Sequence, residues 1–239
     1  LKDAPEILRG LEELKMCSLQ SGLDNVRNAT GNPLAGFDPC EIVDTRPYTL
    51  AIQDYVTGGG RGNPAIANLG RKWNVCVVGS SDFFEHPDIN DLAFVPAEKD
   101  GRFGFNLIVG GFISSQRAAE SISLDAWVPE NEVVAATHAV LTTFRDYGHR
   151  GNRQKCRMMW LIDEMGLENF RAEVQSRMPS EEMERAAEKD LIDRDAPRRS
   201  YIGVHAQKQD GLSWVSAAVP GGRMQPEDLK ELGDLADEY

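Results

Sequence analysis

An alternating pattern in one short segment constrains the fold most strongly. In RKWNVCVV, which begins at Arg71, the apolar residues Trp73 and Val75 alternate with Lys72 and Asn74. Because side chains two positions apart share one face of a β-strand, this spacing predicts a strand with one buried face and one polar face. Burial explains the apolar face, whereas a lysine beside an amide needs a polar partner. The polar face is therefore a candidate binding surface.

The charged residues are segregated along the chain. A formal net charge of -12 over 239 residues argues against general nucleic-acid binding, which needs a basic surface to neutralise phosphates. Residues 55–81 and 147–162 nevertheless contain no Asp or Glu, although both stretches contain basic residues. Cationic stretches inside an acidic chain favour an anionic ligand. Chance clustering of surface charge is the alternative.

Three sets of polar residues are candidates for holding an anion. Arg27 lies in a loop-like segment rich in Gly, Asn and Pro, and Lys72 and Asn74 share the polar face of the strand. A guanidinium, an ammonium and an amide can each donate to one oxygen of a small oxyanion. The third set has the i, i+3, i+7 spacing of a helix face and consists of Arg150, Arg153 and Arg157. For Arg153 and Arg157 alone, a solvated helix face is the alternative.

Glycines support two weaker interpretations. Gly60, Gly62 and Ala65 have the G-x-G-x-x-A spacing of a dinucleotide-binding turn. Too few residues separate this turn from the next strand for a crossover helix, so a flexible loop is the better interpretation. Gly110 and Gly111 follow a predicted strand, where they either let a flat ligand approach the backbone or form a plain turn.

The four cysteines of the chain include no close pair. They are Cys17, Cys40, Cys76 and Cys156. Neither a zinc site nor an iron–sulfur motif has this spacing, so we predict no metal ligand within the chain. Unpaired thiols also fit a reducing compartment.

The order of apolar patterns predicts an α+β protein. Helical spacing or helix start signals mark APEILRGLEELKM, PENEVVAATHAVLTTFRDYG, NRQKCRMMWLIDEMG and LENFRAEVQSRM. β-Branched and aromatic runs predict strands in WNVCVVGS and FGFNLIVGGFI. Residues 179–196 are charged and poor in apolar anchors, which predicts a linker helix. The remaining residues predict strand, strand and helix, the opening half of a small βαβ or ferredoxin-like unit. No apolar run reaches the length of a membrane span.

Longer motifs carry a resemblance to a known family. They are LQSGLDNVRNATGNPLAG, EIVDTRPYT, NLGRKWNVCVVGS, HPDINDLAFVPAEKDGRFGFNLIVGGF, DAWVPENEVV and RDYGHRGNRQKCRMMWLIDEMGLENFRAEV. With these motifs the sequence resembles, over essentially its whole length, the assimilatory ferredoxin-nitrite reductases of plant and algal plastids, in the siroheme nitrite/sulfite reductase family. The resemblance implies an oxidoreductase that reduces nitrite to ammonia with six electrons from reduced ferredoxin. It also implies nitrite bound at the iron of siroheme, and a [4Fe-4S] cluster.

The resemblance further implies roles for individual residues. Arg27 and Lys72 match the arginine and lysine that line the substrate face of siroheme, and Asn74 stands where sulfite reductases have a second lysine; we expect these three residues to be catalytic. An amide at this position favours nitrite, because a singly charged anion needs less positive charge than sulfite. Siroheme is rich in carboxylates, and the residues implied to contact it are Arg71, Gly110, Gly111, Arg153, Lys155 and Arg157.

Two departures from the family pattern predict that the sequence is an internal fragment. The family's C-x5-C and C-x3-C pairs, which hold the cluster and the siroheme, have no match, and an upstream anion-binding arginine is also missing. The expected divisions are the end of a first ferredoxin-like half-domain (1–16), a siroheme- and substrate-binding domain (17–178), the linker helix (179–196) and the start of a second ferredoxin-like half-domain (197–239). We expect the piece alone to be inactive.

The resemblance also implies partners and a location. Reduced ferredoxin and nitrite are the expected partners, without nucleic acid or membrane, and the protein is expected to be a monomer of the chloroplast stroma. Ferredoxin is acidic, so the candidates for its docking are Arg198, Arg199 and Arg223; ordinary surface arginines are the alternative. A ferredoxin-dependent sulfite reductase is one alternative, against which Asn74 argues. A non-catalytic anion- or cofactor-binding domain is another for the isolated piece, because the cluster cysteines are missing.

Overall fold

The fold combines helices and strands, as seen in a computed structural model that describes residues 2–16, 20–180, 182–197 and 199–238. The helices are α1 (Ala4–Glu13), α2 (Arg46–Thr57), α3 (Val133–Tyr147), α4 (Met158–Met165), α5 (Leu167–Gln175) and α6 (Pro226–Glu238). The strands are β1 (Val26–Thr30), β2 (Trp73–Val77), β3 (Leu92–Lys99), β4 (Arg102–Val109), β5 (Phe112–Ile113), β6 (Ala118–Ala119), β7 (Ile122–Pro129), β8 (Gly203–Ala206) and β9 (Ser213–Ser216). The chain divides into two units, residues 1–197 and 198–239. None of the described helices is long and apolar enough to cross a membrane.

The first unit is built on a five-stranded mixed sheet with the order β1-β2-β3-β4-β7. Strands β1, β2 and β3 are parallel, whereas β4 runs antiparallel to both β3 and β7. In register, Val75 lies beside Leu92, and Leu92 lies beside Val109. The starts of the three parallel strands and the end of β4 therefore meet at one end of the sheet.

One face of this sheet packs against helices α2, α3, α4 and α5. Its core includes Trp73, Val75 and Phe94 from the strands and Ile52 and Val140 from the helices, all with 0 % exposure. Removing this apolar surface from water is the main force that holds the helices on the sheet. The predicted strands at β2 and β4 are confirmed, as are the helices predicted around α1, α3, α4 and α5.

At its start, strand β2 has one buried face and one polar face, as its sequence predicts. Trp73 and Val75 are buried, whereas Lys72, directly before the strand, and Asn74 are half-buried. Farther along, both faces are buried, because Cys76 joins a second apolar cluster on the opposite face of the sheet. The polar pattern is thus confined to the start of the strand.

That opposite face is covered by residues 182–197, which form no helix. The linker helix predicted for 179–196 is therefore wrong over the described part of that range. The backbone of the segment pairs with the sheet, since Leu191 N–H donates to Pro96 O at 2.8 Å. Ile192 packs against the second apolar cluster. Few apolar anchors suffice here, because backbone hydrogen bonds hold much of the segment.

Arg27 lies on strand β1 and not in the polar loop expected from its sequence. Strand β1 is at the edge of the sheet and pairs only with β2, with Val26 beside Trp73. An edge strand needs few apolar residues because much of it faces solvent. Val26 is buried and Ala29 packs against the core, but two apolar residues three positions apart in VRNAT give no alternating strand pattern.

The second unit contains a hairpin and a helix. Strands β8 and β9 are antiparallel, with Val204 beside Val215, and α6 follows them, which confirms the predicted order of strand, strand and helix. Val204, Val215 and Leu229 are exposed. A two-stranded hairpin and one helix bury little apolar surface by themselves.

Replacing Gly111 with Ala should lower the free energy of unfolding by about 3 kcal/mol, because overpacking next to rigid backbone is costly. An added Cβ would overlap with Asp88 O and Ser121 Oγ. Gly10→Ala in helix α1 is the matched control, since its Cβ would meet no atom within 4 Å. This substitution should raise the free energy of unfolding by up to about 1 kcal/mol, because alanine favours the helix more than glycine does. Urea unfolding of both variants measures the difference, and equal stabilities would contradict the packing argument.

Candidate anion-binding site

The predicted site residues gather at one end of the main sheet. Lys72 directly precedes β2, Arg27 is the second residue of β1, and Gly110 directly follows β4. Because β1 and β2 are parallel and β4 runs the opposite way, these positions share the same end of the sheet. The segment before α4 brings further arginines to it.

A cavity of about 410 Å³ lies against this end. Its cationic residues are Arg71, Lys72, Arg153 and Arg157. The rest of its lining is Phe112, Gln154 and the turn 113–116. The structure therefore brings four of the predicted site residues together around one space, and a concentration of positive charge in a concave site favours an anionic ligand.

The other predicted residues lie outside the described lining of this cavity. Arg27 is nevertheless close enough for its charge to act on Lys72. Asn74 follows Lys72 on the strand, with its backbone N–H bonded to a neighbouring carboxylate. Lys155 lies over the ring of Trp160, 5.4 Å from the ring centre, and lines a separate cavity of about 270 Å³.

Gly110 and Gly111 pack against the protein's own atoms. Gly110 has a φ of +89°, and a Cβ there would lie 2.7 Å from Met159 Cε. A Cβ on Gly111 would overlap with Asp88 O. Internal packing is thus enough to require both glycines, and their place beside a cofactor ring stays a prediction.

The helical spacing of the three arginines does not correspond to one helix face. Arg153 begins a short 3-10 turn, and Arg157 is the residue before α4. Arg150 donates to Asn68 Oδ1 at 3.0 Å. The interpretation of Arg150, Arg153 and Arg157 as one solvated or ligand-binding helix surface is therefore wrong, because the chain changes direction between them.

Arg27 is held by the loop that precedes β1. Its guanidinium donates to Ser21 O, and to Leu23 O at 3.1 Å. Its Nε is buried and has no hydrogen-bond partner among the described residues. A buried donor normally has an acceptor, so this atom is suited to a ligand or to water.

Lys72 lies among several other positive charges. Burial lowers its pKa, and the positive charges of Arg157, Arg27 and Arg71 lower it further. Asp91 acts in the opposite direction. The ammonium is consequently a stronger acid than that of an exposed lysine.

A fully buried carboxylate, Asp91, lies behind the cations. Its Oδ2 accepts from Arg157 Nη2 at 2.7 Å and from Asn74 N–H at 2.8 Å, and its Oδ1 accepts from Arg157 Nε at 3.3 Å. Burial raises the pKa of Asp91, and Arg157 opposes that rise. Sequence reasoning missed this residue, although an acid directly before the apolar run of β3 is a usable signal.

A second carboxylate, Asp24, joins two of the lining arginines. It accepts from Arg153 Nη1 and Nη2 at 2.6 and 2.8 Å and from Arg71 Nη1 at 3.4 Å. The hydrogen bond from Arg153 is the main cause that lowers the pKa of Asp24. Asp24 fixes these two guanidinium groups beside the cavity and neutralises part of their charge.

The described cysteines are not among the residues that line this cavity. Cys40, Cys76 and Cys156 are free thiols, and burial raises the pKa of Cys76 to about 12; Cys17 lies outside the described residues. Across the described ranges, no group of three or more His, Cys, Asp or Glu residues could hold a metal ion.

Arg157→Met should lower the free energy of unfolding by about 3 kcal/mol near neutral pH, because it leaves Asp91 buried without its countercharge. The loss should shrink on acidification. Burial raises the pKa of Asp91 in the folded state, so the folded protein binds this proton at a higher pH than the unfolded chain does. The cost of the unpaired carboxylate therefore grows as the pH rises. Urea unfolding at about pH 5 and about pH 7 measures both effects.

Arg185→Met is the matched control for this substitution. Arg185 pairs with Asp125 at the surface, where the two side chains are 59 % and 45 % exposed. Exposed pairs contribute little to stability, so this variant should unfold almost as the unsubstituted protein does at both pH values. An equal loss in both variants would contradict the role given to burial.

Comparison with known proteins gives matches over the whole chain. The family model described as "Nitrite and sulphite reductase 4Fe-4S domain" matches residues 22–207, and "Nitrite/Sulfite reductase ferredoxin-like half domain" matches residues 205–239. The chain is 62 % identical to the chloroplastic ferredoxin–nitrite reductase of Zea mays and 50 % identical to the ferredoxin–nitrite reductase of Synechococcus elongatus, with 100 % of this chain aligned in both. It covers only 42 % and 46 % of those proteins.

A solved structure agrees with the sequence matches. The NirA protein of Mycobacterium tuberculosis superimposes with a TM-score of 0.71 at 30 % identity, over 89 % of this chain and 37 % of that one. The α+β fold of the resemblance and the fragment interpretation are thereby confirmed. The sheet and the cationic cavity lie within residues 22–207, which the family model matches. The chain therefore belongs to the nitrite and sulphite reductase 4Fe-4S domain family.

Proposed function

We propose that this chain is the siroheme- and substrate-binding part of an assimilatory ferredoxin-nitrite reductase, which reduces nitrite to ammonia with six electrons from reduced ferredoxin. The observation that carries the proposal is the cavity lined by Arg71, Lys72, Arg153 and Arg157. The relatives that bear this enzyme name support it, because they match the chain from end to end.

The residues at the cavity fit siroheme, a macrocycle rich in carboxylates. Arg71, Arg153 and Arg157 offer the forked donors that pair well with carboxylates. Phe112 adds an apolar wall, which suits a flat ring. The buried Nε of Arg27, without a partner among the described residues, adds a donor on the substrate side.

We assign the anion-holding role to Arg27, Lys72 and Asn74. When bound, siroheme supplies an iron for nitrite and, together with a [4Fe-4S] cluster, the electrons. The three side chains of this chain donate hydrogen bonds to the oxygens of nitrite. Because these donors are held in place before the reaction, they stabilise charge on the oxygens as N–O bonds break.

Lys72 is also the proposed proton donor. Its lowered pKa, caused first by burial, brings the ammonium closer to the pH at which proton transfer is efficient. Transfer of a proton to an oxygen of nitrite, directly or through water, leaves a neutral amine. Solvent then reprotonates that amine for the next step.

The wider features of the enzyme belong to the same proposal. The ligands of the [4Fe-4S] cluster lie outside this chain, so the piece alone lacks catalysis, and the complete protein is a monomer of the chloroplast stroma. Lys155, Gly110 and Gly111 lie near the siroheme. Ferredoxin docks on basic residues such as Arg199 and Arg223; the other candidate, Arg198, lies outside the described residues.

The full-length enzyme with its cofactors tests the proposal. Nitrite should change its siroheme absorption, and Lys72→Ala should reduce nitrite turnover with reduced ferredoxin by about a hundredfold, since removal of one positioned donor or proton-transfer group costs that much. The siroheme spectrum should persist, because the arginines of the cavity still hold the ring.

Lys230→Ala is the control for Lys72→Ala. Lys230 is exposed on α6, and its removal should leave turnover unchanged. Loss of the siroheme spectrum in Lys72→Ala would instead make Lys72 a cofactor-binding residue. Absence of any nitrite-dependent change in the unsubstituted enzyme would refute the proposed substrate.

Asn74→Lys should shift the preference of the enzyme from nitrite toward sulfite. A second lysine on the polar face adds positive charge, which attracts a doubly charged anion more strongly than a singly charged one. The ratio of the sulfite to the nitrite dissociation constant should fall by about tenfold, the effect of one charged hydrogen bond. Spectral titration of the oxidised enzyme with each anion measures this ratio, and an unchanged ratio would remove Asn74 as the discriminating residue.

A further inference from the structure

We propose that Asp91 is a positioning residue of the anion-binding site: it holds Arg157 and the start of β2 in the arrangement that binds nitrite. This inference rests on the proposed function and deepens it. It concerns a side chain behind the cavity wall, one that does not itself line the cavity.

The first support is the position of Asp91 in the fold. It has 0 % exposure and directly precedes β3, the strand at the centre of the sheet. Its backbone O also accepts from Gly110 N–H at 2.8 Å. The carboxylate is thus buried at the start of the central strand, where it contacts the start of β2 and the residue before α4.

The second support is the way Asp91 orients Arg157. Nε and Nη2 of Arg157 both donate to the carboxylate, at 3.3 and 2.7 Å, and the guanidinium carbon lies 5.0 Å from the ring centre of Phe112. These contacts fix the plane of the guanidinium. Nη1 has no hydrogen bond to any described residue, and Arg157 lines the cavity, so one donor edge is kept for a ligand.

The third support is the hydrogen bond from Asn74 N–H to Asp91, at 2.8 Å. It fixes the backbone at the start of β2. Lys72 and Asn74 flank Trp73 there and share one face of the strand, so a fixed backbone sets the directions of both side chains. One carboxylate therefore controls three of the groups around the anion.

The charges around Lys72 give Asp91 an electrostatic role as well. The groups that act on Lys72 are Arg27 of β1, Arg71, Arg157 before α4, and Asp91. The arginines disfavour the ammonium and Asp91 favours it. Removal of the carboxylate's charge leaves only Asp24, among the carboxylates described at this site, to offset the cations, so Lys72 loses its proton more readily.

Asp91→Asn in the full-length holoenzyme tests the inference. The amide has nearly the same shape, and its oxygen can still accept from Asn74 N–H, so the fold is retained. Nitrite binding, followed by absorption of the oxidised enzyme, should weaken by about tenfold. The pH midpoint above which nitrite affinity is lost should fall by about one pH unit, because Lys72 deprotonates earlier.

Two further variants separate position from charge. In a Lys72→Arg background the guanidinium does not titrate, so Asp91→Asn should no longer move the pH midpoint. Asp91→Glu keeps the charge but displaces it, so it should weaken nitrite binding while leaving the midpoint nearly unchanged. Asp91→Glu also serves as the test if Asp91→Asn does not fold.

Glu85→Gln is the control for a structural effect. Glu85 is another poorly exposed carboxylate of the same unit, which accepts from Gly79 N–H and Ser80 N–H at 2.7 and 2.9 Å. Glu85→Gln should lower the thermal unfolding temperature, and so should Asp91→Asn. Unlike Asp91→Asn, Glu85→Gln should leave the nitrite dissociation constant and the pH midpoint unchanged. Equal effects of Glu85→Gln and Asp91→Asn on nitrite binding would overturn the inference.

The inference and the proposed function fail in different ways. If the unsubstituted holoenzyme shows no spectral response to nitrite, the proposed function fails. If it responds, and Asp91→Asn has the same dissociation constant and the same pH midpoint, Asp91 is only structural and the inference alone is refuted.

Discussion

The buried contact between Asp91 and Arg157 is the interaction on which the rest of the site depends. A carboxylate with 0 % exposure is tolerated in a folded protein only when its charge is compensated and its oxygens are hydrogen-bonded. Its partners come from the start of β2 and from the segment before α4. The sheet and the segment that leads into the helical layer are therefore joined by a polar contact beside the cavity.

The net charge of the chain is negative, although its cavity is lined by cations. The chain carries a net charge of -12, whereas its acid-free stretches place Arg71, Lys72 and Arg153 around one space. The few carboxylates near that space, Asp24 and Asp91, each bind arginines. They moderate the mutual repulsion of the cations and hold their orientations, and charge that is fixed in advance binds an anion without reorganisation.

Elements with strong local signals were predictable from the sequence, and elements defined by distant partners were not. Strand β2 and helix α3 follow from apolar periodicity and helix start signals. Strand β1 and residues 182–197 depend on hydrogen bonds to distant parts of the sheet, which leave no periodic pattern. The cations of the cavity could be named because acids are absent around them. Asp91 has only the weaker signal of an acid directly before an apolar run, because its role comes from contact with Arg157, 66 positions away.

The irregular segment 182–197 also determines where the first unit can end. It supplies the cover for one face of the sheet, with Ile192 on the cluster that contains Ala93 and Val95, and it pairs with the backbone of β3 at Pro96. A chain cut after residue 178 would leave that face open to water. For expression, or for domain exchange between relatives, the unit should therefore be cut near residue 197, after the segment that hydrogen-bonds to the sheet. A cut at the end of α5 would be too early.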